Sequence, residues 1–287
     1  MKREAGWWLV LPACAVVGLT LLAPVLYTAA LSFANYSLAG RGSTSWAGVS
    51  HYLGLLGDEE FRVSLVNTLV FAFVTVPAEL VMGLALAVLI HRSFRGRGLV
   101  RLAVLFPWAL PTALNAIMWR WMYNTDYGLF NAVLLQAGLI EQPVNWLGTI
   151  PTAMISMMIV AVWKTSSFMA LLLLAGLQAI PEELYESGQI DGATGWAAFR
   201  RITLPLLRPS ILVAVLLRGM DAFRAFELPM NLTGGGPINT TETLSLYAYK
   251  VLFQFVDFDY GSSVVMVQFL VLFGLSVLYI RALRAET

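Results

Sequence analysis

Six apolar runs, each about long enough to cross a bilayer once wound into a helix, set the terms on which this chain can fold. They extend from about Trp7 to Leu31, Val63 to Ile90, Leu99 to Trp121, Ile150 to Leu177, Ser210 to Met230 and Ser262 to Ile280. About 20 mostly apolar residues span the hydrocarbon core as a helix. Hydrocarbon offers no partner to a free N–H or C=O, so each run must satisfy its own backbone by helix formation. No stretch has the alternating pattern of a membrane-barrel strand. Composition agrees: 59% of the residues are hydrophobic and 12% are charged. Soluble domains carry about 25% charged residues, so this chain has too little charge to wet a globular surface. The expected fold is an all-α integral membrane bundle, a single domain over residues 1–287.

Orientation follows from lysine and arginine, which collect on the cytoplasmic side. With the N-terminus inside, the inner segments hold Lys2, Arg3, Arg92, Arg95, Arg97, Arg101, Arg200, Arg201, Arg208, Arg281 and Arg284. The outer segments hold Arg41, Arg62 and Lys250, and Tyr123 to Thr149 has no Lys or Arg at all. Both termini are therefore expected in the cytoplasm. The uncharged stretch from Ala5 to Gly40 is longer than the ~7–15-residue apolar region of a cleaved leader, so a retained first span is expected. Cys14 is the only cysteine, and His51 and His91 are the only histidines. That excludes a disulfide framework, a cysteine metal site and an H-E-x-x-H protease.

Between the fourth and fifth runs lies a polar segment, Pro181 to Pro209, with the sequence PEELYESGQIDGATGWAAFRRITLPLLRP. Pro181 suits the first turn of a helix, and Glu182, Glu183 and Glu186 suit its positive end. Leu184 and Ile190 are apolar residues able to enter a partner's groove. Gly192 permits a sharp redirection. Trp196, Phe199 and Ile202 then share one helical face, and Pro205 is expected to stop the second helix. Glu186-Ser187-Gly188 is followed by three residues, Gly192, nine residues, and Ile202-Thr203-Leu204-Pro205. This spacing resembles the cytoplasmic coupling loop of ATP-binding-cassette (ABC) importer permeases, which carries Glu-Ala-Ala, three residues, Gly, nine residues and Ile-x-Leu-Pro. Ser187 and Gly188 replace the two alanines, and both remain small.

The resemblance implies a six-helix permease with the coupling loop over residues 181–209. Glu183, Glu186, Ser187, Gly188, Gly192, Ile202, Leu204 and Pro205 would face the ATPase. It also implies a second permease subunit, two cytoplasmic ABC ATPases and an external solute-binding protein. ATP and Mg²⁺ would reside on the ATPases, and this chain would be no enzyme and carry no cofactor. Gly234-Gly235-Gly236 lacks the following Lys-Ser or Lys-Thr of a phosphate-binding loop. The stretch from Phe226 to Phe253, with Leu232-Thr233-Gly234-Gly235-Gly236-Pro237 and Thr241-Glu242-Thr243-Leu244, resembles the carbohydrate branch of these permeases and looks most like the first of their two subunits. An outer loop is expected over residues 231–261, with Leu244–Phe255 as a short helix at the outer membrane surface. No feature suggests nucleic-acid binding.

Polar and charged residues inside spans usually face protein or a water-filled cavity. Arg218, Asp221, Arg224 and Glu227 are spaced by three and alternate in sign, one slanted stripe if a helix continues through them. They read either as a wall of a solute path or as a self-neutralised structural network. Asn115, Trp119 and Asn231 are further path candidates, because amides suit hydroxyls and aromatic faces suit the C–H surface of a sugar. Trp163, Lys164, Ser166, Ser167 and Asn67 belong to the same class. Glu79, after Pro77 in the second run, reads as a buried hydrogen-bond partner or a path residue. Two other functions remain open at this point. One is an ion-coupled secondary transporter using Glu79, Asp221 or Glu227. The other is an ABC permease for a non-sugar solute such as glycerol phosphate.

Overall fold

The computed structural model describes residues 4–37 and 43–284. Lys2, Arg3 and Arg41, which enter the orientation argument, lie outside the described residues, as does the side chain of Arg284. The regular elements of the described chain are helices apart from one short hairpin. In order it forms α1 (Glu4–Val17), α2 (Ala23–Ser32), β1 (Ala34–Ser37), β2 (Ser43–Trp46), α3 (Ser50–Gly57), α4 (Glu59–His91), α5 (Arg97–Ala109) and α6 (Thr112–Met122). There follow α7 (Leu129–Gln136), α8 (Thr152–Gln178), α9 (Glu183–Ile190), α10 (Gly195–Ala198), α11 (Leu204–Phe223), α12 (Glu227–Leu232), α13 (Leu244–Tyr249) and α14 (Phe258–Arg284). Wide i→i+5 turns link α1 to α2 and α10 to α11, and extend α13.

Five continuous segments are long and apolar enough to cross a membrane: Val10–Ser32, Glu59–His91, Thr152–Gln178, Gly195–Phe223 and Phe258–Tyr279. The third expected run is different. It is two helices, α5 and α6, bent by 96°. The cause is local. Pro111 has no N–H and disfavours helical geometry at the residue before it. Leu110 is accordingly extended, at φ −71° and ψ 132°.

The fifth run also departs from expectation, at both ends. Pro205 does not stop the helix: Gly195–Phe223 is continuous. The turn before the proline widens, with the Leu204 N–H bonded to the Phe199 carbonyl, and Pro205 occupies the first turn of α11, where its missing N–H matters little. At the other end the helix terminates at Phe223 rather than near Met230. Arg224 and Phe226 leave helical geometry before α12 begins, so Arg218, Asp221, Arg224 and Glu227 do not form one continuous stripe.

The chain divides into two compact units. In the first (residues 1–62 and 247–271), β1 and β2 pair antiparallel with Ala34 opposite Trp46. The Asp58 carboxylate accepts from the hydroxyls of Tyr247, at 2.5 Å, and Tyr260, at 2.8 Å. Partial burial raises the Asp58 pKa, but these bonds and the N–H groups of Phe61 and Glu60 outweigh it and hold the carboxyl below its usual range. Asp257 goes the other way: desolvation and its neighbour Asp259 push it up to about 6.

In the second unit (residues 63–246 and 272–287), α8 is the central element, and α5, α11 and α12 pack on it. Gly83 brings α4 against α8, where an added Cβ would lie 2.6 Å from Met169 Cγ. Gly176 does the same for α8 and α11, with Ser210 Oγ 2.3 Å from such a Cβ. Small residues at these crossings let backbones approach closely, the usual device of helix packing in membranes. The stretch after Thr243 is helical as expected, but Leu244 and Leu246 are fully buried in protein rather than laid on a lipid surface.

Candidate functional site

The second unit carries both candidate sites. The first is the segment around α9. Its end is a Schellman cap: the Gly192 N–H bonds to Gln189 O and the Ala193 N–H to Gly188 O. The cap needs φ of +78° at Gly192, which L side chains rarely adopt. Two contacts hold α9 to the helix that follows. Tyr185 Oη lies 3.0 Å from Thr203 Oγ1, and Gly188 lies so close to Ile202 that a Cβ would stand 2.7 Å from Ile202 Cδ1. Glycine at 188 therefore serves the close approach itself. Trp196 and Phe199 stack with centroids 5.4 Å apart.

Other side chains of this segment have no such packing. Leu184 is exposed, Ile190 is 87% exposed and Trp196 is 73% exposed. Glu183 and Glu186 lie in the first turn of α9, and the Ser187 hydroxyl donates to the Leu184 carbonyl. Leu204 is partly exposed and Pro205 begins α11. Leu184 and Ile190 on α9, which lies outside every span, and Trp196 at the start of the helix that follows leave apolar surface uncovered.

The second site is a cavity of about 580 Å³. Its wall combines Phe71, Trp108, Phe168 and Phe226 with Thr112, Asn115, Lys164, Thr165, Arg218, Asp221, Arg224 and Glu227. Trp108 and Phe168 stack at 5.5 Å. The α5–α6 break, α8, and the end of α11 with the turn into α12 supply nearly all of this wall. Asn115 is fully buried, and neither its amide nitrogen nor its oxygen has a hydrogen-bond partner among the described residues. Such groups cost about 1–3 kcal/mol when left unsatisfied and are rare in folded proteins.

An ion-pair chain anchors the cavity's charged side. Arg218 Nε donates to Glu79 Oε2 at 2.8 Å and Nη2 to Oε1 at 3.2 Å. Its Nη1 reaches Asp221 Oδ2 at 3.4 Å, and Arg224 Nη2 holds Asp221 Oδ1 at 2.9 Å. Glu79 is 0% exposed and is a structural partner of Arg218, away from the cavity surface. Arg218 is buried, whereas Asp221 and Arg224 are exposed toward the cavity.

Of the path candidates named from sequence, Asn115, Lys164, Arg218, Asp221, Arg224 and Glu227 line this cavity. Trp119 and Asn231 do not. Trp119 stacks on Phe130 and meets Tyr123 at a tilt and Trp163 edge-on in an aromatic cluster, and the Asn231 amide donates to Glu227 O at 2.7 Å. Trp108, Phe168, Thr112 and Thr165 were not singled out. The signal for the first two is weak in sequence, since an aromatic residue in an apolar run reads as lipid-facing belt.

Comparison with known proteins follows the same lines. Residues 79–284 match the family described as binding-protein-dependent transport system inner membrane component. The trehalose/maltose transport system permease protein MalF of Thermococcus litoralis is 41% identical over 284 residues, 98% of this chain and 95% of the relative. The sulfoquinovosyl glycerol transport system permease protein SmoG of Agrobacterium fabrum is 36% identical over 278 residues, 97% of this chain and 90% of the relative. A crystal structure of a bacterial ABC transporter involved in the import of the acidic polysaccharide alginate contains a chain of the same fold. Its TM-score is 0.87, over 100% of this chain and 97% of that one, at 23% identity. The match across most of the sequence, and the helical bundle it shares, place this chain in the family of inner-membrane components of binding-protein-dependent transport systems.

Proposed function

We propose that this chain is one permease subunit of an ATP-driven ABC importer and forms half of the path for a carbohydrate. The observation that carries the solute class is the cavity wall. A stacked Trp108–Phe168 pair offers apolar faces to sugar C–H groups, and Thr112, Asn115, Lys164, Asp221, Arg224 and Glu227 offer donors and acceptors to hydroxyls. Its charges balance. Arg218 is neutralised by buried Glu79 behind the wall, and of the remaining lining charges Lys164 and Arg224 stand against Asp221 and Glu227, two on each side. A neutral solute preserves that balance, whereas glycerol phosphate would leave an uncompensated charge in a partly desolvated site. The trehalose/maltose and sulfoquinovosyl glycerol transport systems to which the two relatives belong support the carbohydrate class.

On this reading the α9 segment docks on a cytoplasmic ATPase, with Leu184, Ile190 and Trp196 as the apolar contacts and Gly188, Gly192, Ile202 and Pro205 setting its shape. Two such ATPases hold ATP and Mg²⁺, a second permease subunit completes the path, and an external binding protein delivers the solute. Both termini lie in the cytoplasm, and residues 1–287 act as one permease domain. An ion-coupled carrier needs a carboxylate free to take and release a proton, and Glu79 is committed on both oxygens to Arg218. The test is reconstitution of the assembled complex. ATP hydrolysis should rise only when the external binding protein is added, and uptake over a panel should favour neutral sugars over glycerol phosphate. Hydrolysis indifferent to the binding protein, or preferred uptake of the phosphate ester, would refute the reading.

A further inference from the structure

The turn between α4 and α5 concentrates positive charge beyond what orientation in a membrane requires. Arg92, Arg95, Arg97 and Arg101 fall within ten residues, with His91 beside them. The α5 N-terminus, capped by Gly96 at φ +87°, adds the positive end of the helix dipole. Arg97 Nε is used by the Ile90 carbonyl at 2.8 Å. Arg101 is different: its Nε and Nη2 are buried and have no hydrogen-bond partner among the described residues, and neither does buried His91 Nδ1. A topogenic arginine needs only to stay in water. A guanidinium that is partly desolvated and unpaired is expensive unless an anion meets it. Glu182 is the acidic group that faces His91, and no ion pair joins it to these arginines among the described residues.

The surroundings indicate where the anion comes from. Phe94, Leu99, Leu102 and Phe106 are exposed beside the basic turn, and α5 is half of the bent pair counted as a possible sixth span. An apolar strip that adjoins a basic cluster at the end of a span matches a phospholipid: acyl chains along the strip, the phosphate at the arginines. We infer that the α4–α5 turn is a binding site for the phosphate of an anionic phospholipid headgroup, with Arg101 as its central ligand and Arg92 and Arg95 as its rim.

The experiment uses the full chain purified in its complex, with phosphatidylglycerol and phosphatidylcholine of matched acyl chains as probes. Lipid retained through detergent exchange is counted by native mass spectrometry. Wild type should retain phosphatidylglycerol over phosphatidylcholine, and Arg101→Gln and Arg95→Gln should each cut that preference by about fivefold, the effect of one arginine at a charged membrane surface. Arg95 is exposed, so its variant keeps the test decisive if Arg101→Gln assembles poorly. Excess inorganic phosphate should leave the preference in place. Equal retention of the two lipids, or a preference that survives both substitutions, overturns the site. A preference abolished by inorganic phosphate assigns the anion to solution and overturns the lipid.

Discussion

Replacing Arg218 with methionine removes a charge of which another charge makes full use. Glu79 has no exposure, and both its oxygens are held by Arg218, at 2.8 and 3.2 Å. Methionine fills a similar volume but leaves the carboxylate buried and unpaired, which costs about 3–5 kcal/mol when one partner of a buried pair is removed. Glu79→Gln is milder. Arg218 then keeps Asp221 at 3.4 Å, and the loss is about 1–3 kcal/mol, the range for a weakened charged hydrogen bond. The double variant Glu79→Gln/Arg218→Met removes both charges and should recover about 2 kcal/mol relative to Arg218→Met alone, because contacting residues are not additive. The assay is thermal denaturation of the assembled complex for all four proteins, with uptake measured per folded complex. Arg218→Met should melt lowest and the double variant should lie above it. If Arg218→Met melts like wild type, or the double variant loses the sum of the two single losses, the pair does not hold the cavity wall together.

Three further outcomes are expected. Gly192→Val should insert in the membrane normally but lose ATPase capture in a pull-down, since φ of +78° costs an L residue about 1–2 kcal/mol and a β-branched one more; wild-type capture would contradict the docking role of α9. Asp257, raised to about 6, binds its proton more tightly folded than unfolded, so its contribution to stability is complete below about 4 and is lost as pH rises through about 6. A melting profile over that window should flatten in Asp257→Asn, and an unchanged slope would refute the assignment. A reporter fused after Thr287 should read cytoplasmic and one inserted near Gly138 external; the reverse pattern would break the orientation argument.

The spans were legible because they are a one-dimensional property: length and hydropathy alone place α4, α8 and α14 to within a few residues. The prolines were half legible. Pro107 and Pro205 sit inside or at the start of helices without breaking them, whereas Pro111 ends one. The difference lies in whether the preceding turn can widen or the N–H was free anyway, which sequence does not display. The shape of the α9 segment is legible at Gly192, where only glycine suits the backbone, and in part at Gly188, where smallness allows close packing but the partner, Ile202 fourteen positions on, is not apparent in sequence. The cavity was least legible. Arg218 and Glu79 are 139 residues apart, and Trp108 meets Phe168 only because α5 packs on α8. Such pairings are products of tertiary packing, and no local pattern encodes them.

The passage of the helix through Pro205 has a mechanical meaning. From Gly195 to Phe223 the chain is one rod of 29 residues, about 43 Å at 1.5 Å per residue. One end is clamped to α9 by Gly188, Ile202, Tyr185 and Thr203; the other carries Arg218, Asp221 and Ala222 in the cavity wall. A break at Pro205 would have made a hinge there, and a push on α9 would have been absorbed as bending. Without it, on the proposed function a displacement of α9 would be carried along this helix as by a piston, and the first place where the backbone leaves helical geometry is Arg224 to Phe226, at the cavity wall.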